Sequence, residues 1–243
     1  MKKVSAGGVE LAYAERGSGP AVLLVHGIAS DSEAWSPVAE ALSPRARVIA
    51  YDRRGYGASS APEPYTSTTV AEQAWDAAAL VRALDAAPAL ACGEDLGALV
   101  CLELLLRHPG VLRGAVLVDV PLFAFVESAT RALSEERLAL EEALRASGPA
   151  AAVQAWLGGR GDGARRERAG RRPVAFFADY AGLTSFPVTR RELRGISVPV
   201  AIVDTPAAPD HVRAAGNRLA ELLPDQRRRD DGDALAALEE LLA

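Results

Sequence analysis

The sequence contains few cysteines and no long apolar segment. Only two cysteines, Cys92 and Cys101, occur among its 243 residues. They lie in a predicted strand and a predicted helix, so we expect buried free thiols rather than a disulfide. No apolar run approaches the roughly 18 residues that a membrane span needs. Residues 1–17 lack the apolar region of a signal peptide, and we therefore expect a cytoplasmic protein that does not enter a membrane.

An excess of positive charge is also absent. The chain has 27 Lys and Arg against 32 Asp and Glu, which gives a net charge of −5. This balance argues against a protein that binds nucleic acid by neutralising phosphates. The hydrophobic fraction of 49% and the charged fraction of 24% are typical of a folded soluble domain. The length is sufficient for one sizeable core.

The first 120 residues alternate short apolar runs with helical patterns. Strands are predicted at residues 9–15, 21–25, 47–51, 88–92 and 114–120. Thr69 and Glu72 have the spacing of a capping box before a long helix, and a second helix is predicted at 96–108. Strands that alternate with helices indicate an α/β protein with a mostly parallel sheet flanked by helices.

The pattern changes after Pro121, where helical stretches follow one another without a strand between them. A strand pattern returns only at residues 198–204, and a terminal helix is predicted at 233–243. We therefore predict an α/β core made of residues 1–120 and 195–243. A helical insert, hereafter the cap segment (residues 121–194), interrupts this core.

One stretch of the cap segment is rich in arginine. Residues 158–172 contain six arginines and five glycines. Such a composition favours a solvent-exposed loop, and a loop that binds anions is the alternative.

The most informative stretch is Gly93-Glu94-Asp95-Leu96-Gly97, hereafter the elbow (residues 93–97). Two glycines separated by three residues at a strand-to-helix junction predict a sharp turn, with glycine where a Cβ atom would collide. The turn presents its middle side chain at the carboxyl edge of the sheet, and the N-terminus of the next helix favours negative charge there. Asp95 is that middle residue. It is either a reactive carboxylate or an aspartate that only joins the strand to the helix.

Several motifs together resemble those of the α/β-hydrolase family over nearly the whole chain. They are "LLVHGIASDSEAW" (23–35), "VIAYDRRGYGASS" (48–60), "CGEDLGALVCLELLLRHP" (92–109), "GAVLVD" (114–119) and the insert that follows this last strand. The resemblance implies an α/β-hydrolase fold with a small helical cap. It also implies an oxyanion hole formed by the backbone N–H groups of Ile28 and Leu96.

Aspartate at the elbow resembles the haloalkane and haloacid dehalogenases and the epoxide hydrolases. In those relatives the carboxylate attacks an electrophilic carbon and forms an ester. A water molecule activated by histidine then attacks the ester carbonyl. The resemblance therefore implies that Asp95 is the nucleophile.

The resemblance also implies a histidine after the last strand, and this sequence has none there. His26 belongs to the oxyanion motif and His108 ends a helix. His211 follows the strand at 198–204 and is the candidate for a displaced base. Asp119, at the end of strand 114–120, is the candidate acid. Because residues 225–233 are short and polar, we expect the C-terminal strand region to be truncated.

Three interpretations stay open. The first is a hydrolase of a small organic electrophile or ester that uses Asp95. The second is non-hydrolytic chemistry of an epimerase, lyase or cyclase type, with Asp95 or Glu94 as base. The third is a ligand-binding protein without catalysis.

The predicted partner is a small-molecule substrate or ligand, and a homodimer through the cap segment or the sheet edge stays an alternative. No metal site and no cofactor are predicted. Candidate substrate contacts are Trp35, Glu94, Phe123, Trp156 and Tyr180. For the aromatic residues the alternative is packing within the cap segment.

Overall fold

Eight strands form one sheet within residues 1–158, 163–183 and 186–243, which the computed structural model describes. In chain order, β1 to β8 are Lys2–Ala6, Val9–Arg16, Ala21–Val25, Arg47–Tyr51, Ala89–Glu94, Leu112–Val118, Val200–Val203 and Gln226–Arg229. Their spatial order is β1-β2-β4-β3-β5-β6-β7-β8. β1 and β2 pair antiparallel, β2 also meets β4 antiparallel, and all later pairs are parallel. This sheet confirms the predicted α/β class.

Helices flank the sheet, and the described ones are α1 to α9: Ser36–Leu42, Val70–Ala83, Leu96–Arg107, Glu127–Leu157, Gly163–Arg171, Pro173–Leu183, Arg190–Arg194, Asp210–Ala220 and Ala234–Leu242. The side chains of β3 show that both faces are covered. Leu23 and Val25 belong to the core cluster that includes residues of α2 and α3, whereas Val22 and Leu24 pack with residues of α1 and α9. Because successive side chains of a strand point to opposite faces, a strand buried on both faces is apolar throughout.

The predicted elements of the first 120 residues are found in the structure, with ends shifted by a few residues. The capping box is present as well, since the Thr69 hydroxyl accepts from Glu72 N and the Glu72 carboxylate accepts from Thr69 N. The first strand, β1, is the element that the sequence pattern missed. It pairs only with β2 and is largely exposed, so its apolar signal is weak.

The expectation of a truncated C-terminal strand region is wrong. β8 pairs in parallel with β7 over four residues, from Gln226 opposite Val200 to Arg229 opposite Val203. β8 is the edge strand of the sheet, and its side chains are half-buried and pair with charged groups. Arg228 pairs with Asp204, and Arg229 pairs with Asp231. A strand whose sequence is "QRRR" therefore carries no hydrophobic signal.

The described residues of the cap segment are helical outside short connections. α4 is broken at Gly148, whose φ of 79° is not helical, and Pro149 begins the second half. The arginine-rich stretch is not a loop where it is described, because residues 163–171 form α5. Alanine and arginine are strong helix formers. Residues 159–162 of that stretch lie outside the described residues.

Two further observations concern the described residues. None of their helices combines the length and the hydropathy that a membrane crossing needs. Cys92 and Cys101 are both buried free thiols, as predicted.

Candidate active site

The elbow is a sharp turn between β5 and α3. Asp95 has φ of 53° and ψ of −121°, a left-handed conformation that non-glycine residues rarely adopt. A Cβ atom on Gly93 would lie 2.1 Å from the Gly97 carbonyl oxygen, and one on Gly97 would lie 2.3 Å from the Val25 carbonyl oxygen. The backbone is thus packed too closely for any other residue at either position. Strain of this kind is concentrated at functional sites.

The Asp95 carboxyl sits against the loop that follows β3. Its Oδ2 atom accepts a hydrogen bond from Ile28 N at 3.3 Å. Leu96 is the first residue of α3, so no carbonyl of that helix can accept from its N–H. Asp95 therefore contacts one of the two predicted oxyanion donors, Ile28 N–H. The other, Leu96 N–H, lies at the start of the adjacent helix α3.

The environment of Asp95 favours its protonated form. Burial raises the pKa of this carboxyl to about 7, against the opposing effect of the Arg165 guanidinium, and the neighbouring Glu94 carboxylate raises it further. The side chain nevertheless keeps 24% of its surface exposed, so small molecules in solvent can reach it. A carboxyl group with a pKa near neutrality suits acid–base or nucleophilic chemistry.

Arg165 is a component of the site that no sequence motif indicated. It comes from α5 and donates from Nη1 to Glu94 Oε1 at 3.1 Å and from Nη2 to the Ile28 carbonyl at 3.3 Å. Its Nη2 atom lies 4.0 Å from Asp95 Oδ2. Glu94, predicted as a substrate contact, is therefore paired with a cation from the cap segment.

His26 supports the loop rather than the chemistry. It is fully buried, its Nδ1 is 2.9 Å from the Gly27 carbonyl, and its Nε2 accepts from Arg53 N at 2.9 Å. Burial and the positive charge of Arg53 hold the pKa of His26 well below its usual value. With both ring nitrogens engaged, neutral His26 holds the loop that carries Ile28 N–H.

A buried ion pair ties the same loop to the cap segment. Arg53 donates to the His26 and Gly27 carbonyls at 2.9 Å each, and to Asp179 Oδ2 at 2.8 Å. Asp179 belongs to α6 and also accepts from Tyr56 and Gln73, each at 2.8 Å. Asp179 is completely buried and Arg53 nearly so. This network is a second feature that the sequence analysis did not foresee.

Asp119, the candidate acid, and Asp204, an acidic residue at the end of the neighbouring strand, have partners other than imidazole. Asp119 has φ of 47°, and its carboxylate accepts from Thr205 N at 2.8 Å and Thr205 Oγ1 at 2.7 Å. Burial raises the pKa of Asp119, and the bonds from Thr205 oppose this rise. Asp204, at the end of β7, pairs with Arg228 of β8.

His211 lies in the first turn of α8, where its ring centroid is 5.4 Å from that of Phe123. His108 lies against Trp75 at 5.9 Å. Among the described residues, the hydrogen bonds and ion pairs of the Asp95 carboxyl go to Ile28 and Arg165 and to no imidazole. The assignment of His211 as a displaced base stays a prediction.

The aromatic candidates pack mainly with one another or with the core. Phe176 is fully buried and contacts Trp156 at 5.0 Å and Tyr180 at 5.8 Å between ring centroids. Trp35 is buried in the core cluster on the α1 and α9 side of the sheet. Trp156 and Tyr180 are only half-buried. The ring contacts agree with the packing alternative, and the part of these residues in substrate binding stays a prediction.

A cleft of about 430 Å³ lies beside the elbow rather than over it. Its walls include three arginines (Arg168, Arg171 and Arg172) and three acidic residues (Asp31, Glu33 and Asp52). Asp95 is not among its lining residues. Within the part of the chain that the structure describes, no group of three or more His, Cys, Asp or Glu residues is arranged to hold a metal ion.

Comparison with known proteins agrees with this architecture. The family model described as "alpha/beta hydrolase fold" matches residues 20–144, about half of the chain and all of the elbow. The chain belongs to the α/β-hydrolase family. This α/β-hydrolase is 32% identical over 205 residues to 2-(acetamidomethylene)succinate hydrolase of Mesorhizobium japonicum, which is 82% of this chain and 72% of that protein. An epoxide hydrolase of Caballeronia sordidicola is 33% identical over 126 residues, or 51% of this chain and 38% of that protein.

Solved structures extend the similarity to the whole α/β-hydrolase chain. The enol-lactonase of Burkholderia xenovorans superposes with a TM-score of 0.78 at 22% identity, covering 98% of this chain and 95% of that one. At this identity the likeness shows the fold alone. The structure of E-2-(acetamidomethylene)succinate hydrolase gives a TM-score of 0.73 at 27% identity, covering 99% and 97%.

Proposed function

We propose that this α/β-hydrolase acts on a small organic electrophile or ester and uses the Asp95 carboxylate as its nucleophile. The observation that carries the proposal is the geometry of Asp95. It stands in a strained left-handed conformation at the turn between β5 and α3, and its Oδ2 atom lies 3.3 Å from Ile28 N. The hydrolases among its relatives support the same class of reaction.

The first step follows from the chemistry of a carboxylate. With an epoxide, an Asp95 oxygen forms a bond to one ring carbon, the carbon–oxygen bond of the ring breaks, and the released alkoxide takes a proton from water. The product is an ester between Asp95 and the substrate. This step needs the ionised carboxylate and no added base.

The second step is attack of water on the carbonyl carbon of that ester. The negative charge then develops on the ester oxygen that faces Ile28 N–H, and the Leu96 N–H is the second donor we assign to it. A base that accepts the proton from water usually contributes about 10²- to 10⁴-fold to such a step. Residues 230–233, which follow β8, contain no histidine. We therefore expect the ester to accumulate.

A second function is favoured by the pKa of Asp95. A carboxyl group that titrates near pH 7 and has no imidazole partner among the described residues is suited to act as a general base itself. Proton abstraction next to a carbonyl, with the enolate oxygen held by Ile28 N–H, would then replace ester formation. This function predicts no covalent adduct.

Intact-mass spectrometry separates the two functions. The protein is exposed to glycidamide, styrene oxide and p-nitrophenyl acetate, and we expect a mass increase equal to one whole epoxide molecule with at least one of the epoxides, because ring opening releases no leaving group. Asp95→Asn should abolish the increase. The matched control is Asp85→Asn, because Asp85 is another aspartate of positive φ, 49°, and is exposed outside the site.

An adduct that is equally abundant in Asp95→Asn would contradict the nucleophile. Exchange of a substrate C–H with solvent deuterium, without any adduct, would select the general-base function. Stabilisation by a ligand with neither adduct nor exchange would exclude both and leave a binding protein.

A further inference from the structure

We propose that Arg53 is a positioning residue for the oxyanion hole and that Asp179 of the cap segment holds it in that role. Its guanidinium orients and polarises the Gly27–Ile28 peptide, whose N–H faces Asp95. The inference deepens the proposed function and rests on it for the ester on which the negative charge develops. It makes the strength of one oxyanion donor depend on the packing of α6 against the core.

The carbonyl of Gly27 and the N–H of Ile28 belong to one peptide unit. The N–H lies 3.3 Å from Asp95 Oδ2, and the carbonyl accepts from Arg53 Nη2 at 2.9 Å. Since Nε2 of neutral His26 accepts from Arg53 N, its Nδ1 carries the proton and donates to the same carbonyl at 2.9 Å. Because a peptide unit is planar, two donors that fix its carbonyl also fix the direction of its N–H.

The charge of Arg53 also strengthens the N–H of Ile28 as a donor. Hydrogen bonds in a chain polarise one another, and a bond from a charged group is about twice as strong as a neutral one. Arg53 is almost completely buried, so little solvent screens its charge. Burial lowers the pKa of Arg53 and the Asp179 carboxylate raises it, and because the net shift is upward the guanidinium stays charged.

Stability alone does not require an arginine at position 53. Apolar side chains of similar volume can often replace a buried ion pair without loss of stability. Only a guanidinium supplies several directed bonds from one plane. The acceptors of these bonds are the His26 carbonyl at 2.9 Å, the Gly27 carbonyl at 2.9 Å, Asp179 Oδ2 at 2.8 Å and Gln73 Oε1. Together they hold the guanidinium in one orientation beneath the loop that carries the oxyanion donor.

Asp179 brings the cap segment into this arrangement. Among the described residues, it is the carboxylate that pairs with Arg53. Its Oδ1 accepts from Gln73 Nε2 and its Oδ2 from the Tyr56 hydroxyl, each at 2.8 Å. The Tyr56 oxygen in turn accepts from Ala29 N at 3.4 Å, so the network reaches the loop at a second point. Loss of Asp179 therefore weakens the support of the whole loop.

Two matched double variants separate this role from stability. Arg53→Met with Asp179→Leu removes the guanidinium and fills the space with apolar side chains. Arg54→Met with Asp76→Leu is the control, because this neighbouring pair is also buried, with bonds of 2.6 and 2.8 Å. The described side-chain hydrogen bonds of Arg54 go to Asp76 rather than to the loop at 26–28. Chemical denaturation of both double variants shows that each is folded.

Hydrolysis of the ester formed with glycidamide gives the first measurement. After excess probe is removed, intact-mass spectrometry follows the return of the protein to its unmodified mass. We expect Arg53→Met with Asp179→Leu to slow this return about tenfold to hundredfold, because loss of an oxyanion donor costs about 10²- to 10³-fold and this donor is weakened rather than removed. Formation of the ester should slow much less, since its negative charge develops on the epoxide oxygen.

The variants differ in what they retain. The control, Arg54→Met with Asp76→Leu, should hydrolyse the ester at the wild-type rate. Arg53→Lys keeps a charged donor but not the planar set of bonds, so its rate should lie between those of wild type and the Arg53 double variant. It also gives a second answer if that double variant does not fold.

The amide resonance of Ile28 gives a measurement that does not depend on ester formation. A weaker N–H donor has its proton resonance further upfield, and we expect this shift in the Arg53 double variant and not in the control. An unmoved Ile28 resonance, an unchanged hydrolysis rate, or equal slowing in the control would overturn the inference. If no epoxide forms an ester in the wild type, the nucleophile fails and the Ile28 resonance still decides the role of Arg53.

Discussion

Asp179→Ala is expected to lower the free energy of unfolding by about 3–5 kcal/mol, the cost of removing one partner of a buried ion pair. The substitution leaves the Arg53 guanidinium buried without its carboxylate. It also removes the acceptor of Tyr56 and Gln73. Chemical denaturation of wild type and variant measures the difference.

Glu141→Ala is the control for Asp179→Ala, because Glu141 also pairs with arginine in the cap segment but on an exposed surface. It should change the free energy of unfolding by less than about 1 kcal/mol. The double variant Arg53→Met with Asp179→Leu should lose less than the two single variants together, since apolar side chains can replace a buried ion pair. A loss below about 1 kcal/mol in Asp179→Ala would mean that the network does not join the cap segment to the core as described.

Asp95→Asn is expected to stabilise the folded protein at pH 8. An aspartate has a pKa of about 3.9 in an unfolded chain, whereas burial raises the pKa of Asp95 to about 7 in the folded state. Between these values the folded state holds more protons than the unfolded one, so stability falls as the pH rises. The asparagine variant does not titrate, and its advantage should grow from near zero at pH 4 to a maximum above pH 7. The shift corresponds to at most about 4 kcal/mol.

Unfolding of both proteins at pH 4, 6 and 8 measures this difference. Glu135→Gln, which changes an exposed carboxylate of α4, should alter stability by no more than about 0.5 kcal/mol at any of these pH values. An Asp95→Asn variant that is less stable than wild type at pH 8 would show that the ionised carboxylate stabilises the site. Many active-site residues reduce the stability of the proteins that carry them.

The fold could be predicted because the sequence patterns that indicate its strands and helices involve residues close together in the chain. The strands of the sheet centre are apolar on both faces, and the spacing of Thr69 and Glu72 specifies a helix start. β8 could not be predicted in this way, since an edge strand with charged neighbours has no apolar pattern. α5 was missed for a similar reason, because a helix with only Ala169 buried has the composition of a loop.

The site could be predicted only where backbone shape defines it. The glycines of the elbow indicated the position of Asp95, and the motif around His26 indicated Ile28. Arg165 lies 71 residues from Glu94 along the chain, and Asp179 lies 126 residues from Arg53. Residues so far apart in the sequence have no characteristic spacing by which the pair could be predicted. They come into contact only when the cap segment folds over the sheet.

The rate at which Asp95 is alkylated by glycidamide, followed from pH 5 to pH 9, tests the central claim most directly. The probe is neutral, so the pH dependence reports on the protein, and peptide mapping locates the adduct. With a pKa of about 7 for Asp95, the ionised fraction and hence the rate should rise about tenfold between pH 6 and pH 8 and then level off. A rate that is already constant above pH 5, or an adduct on any residue other than Asp95, would contradict the account.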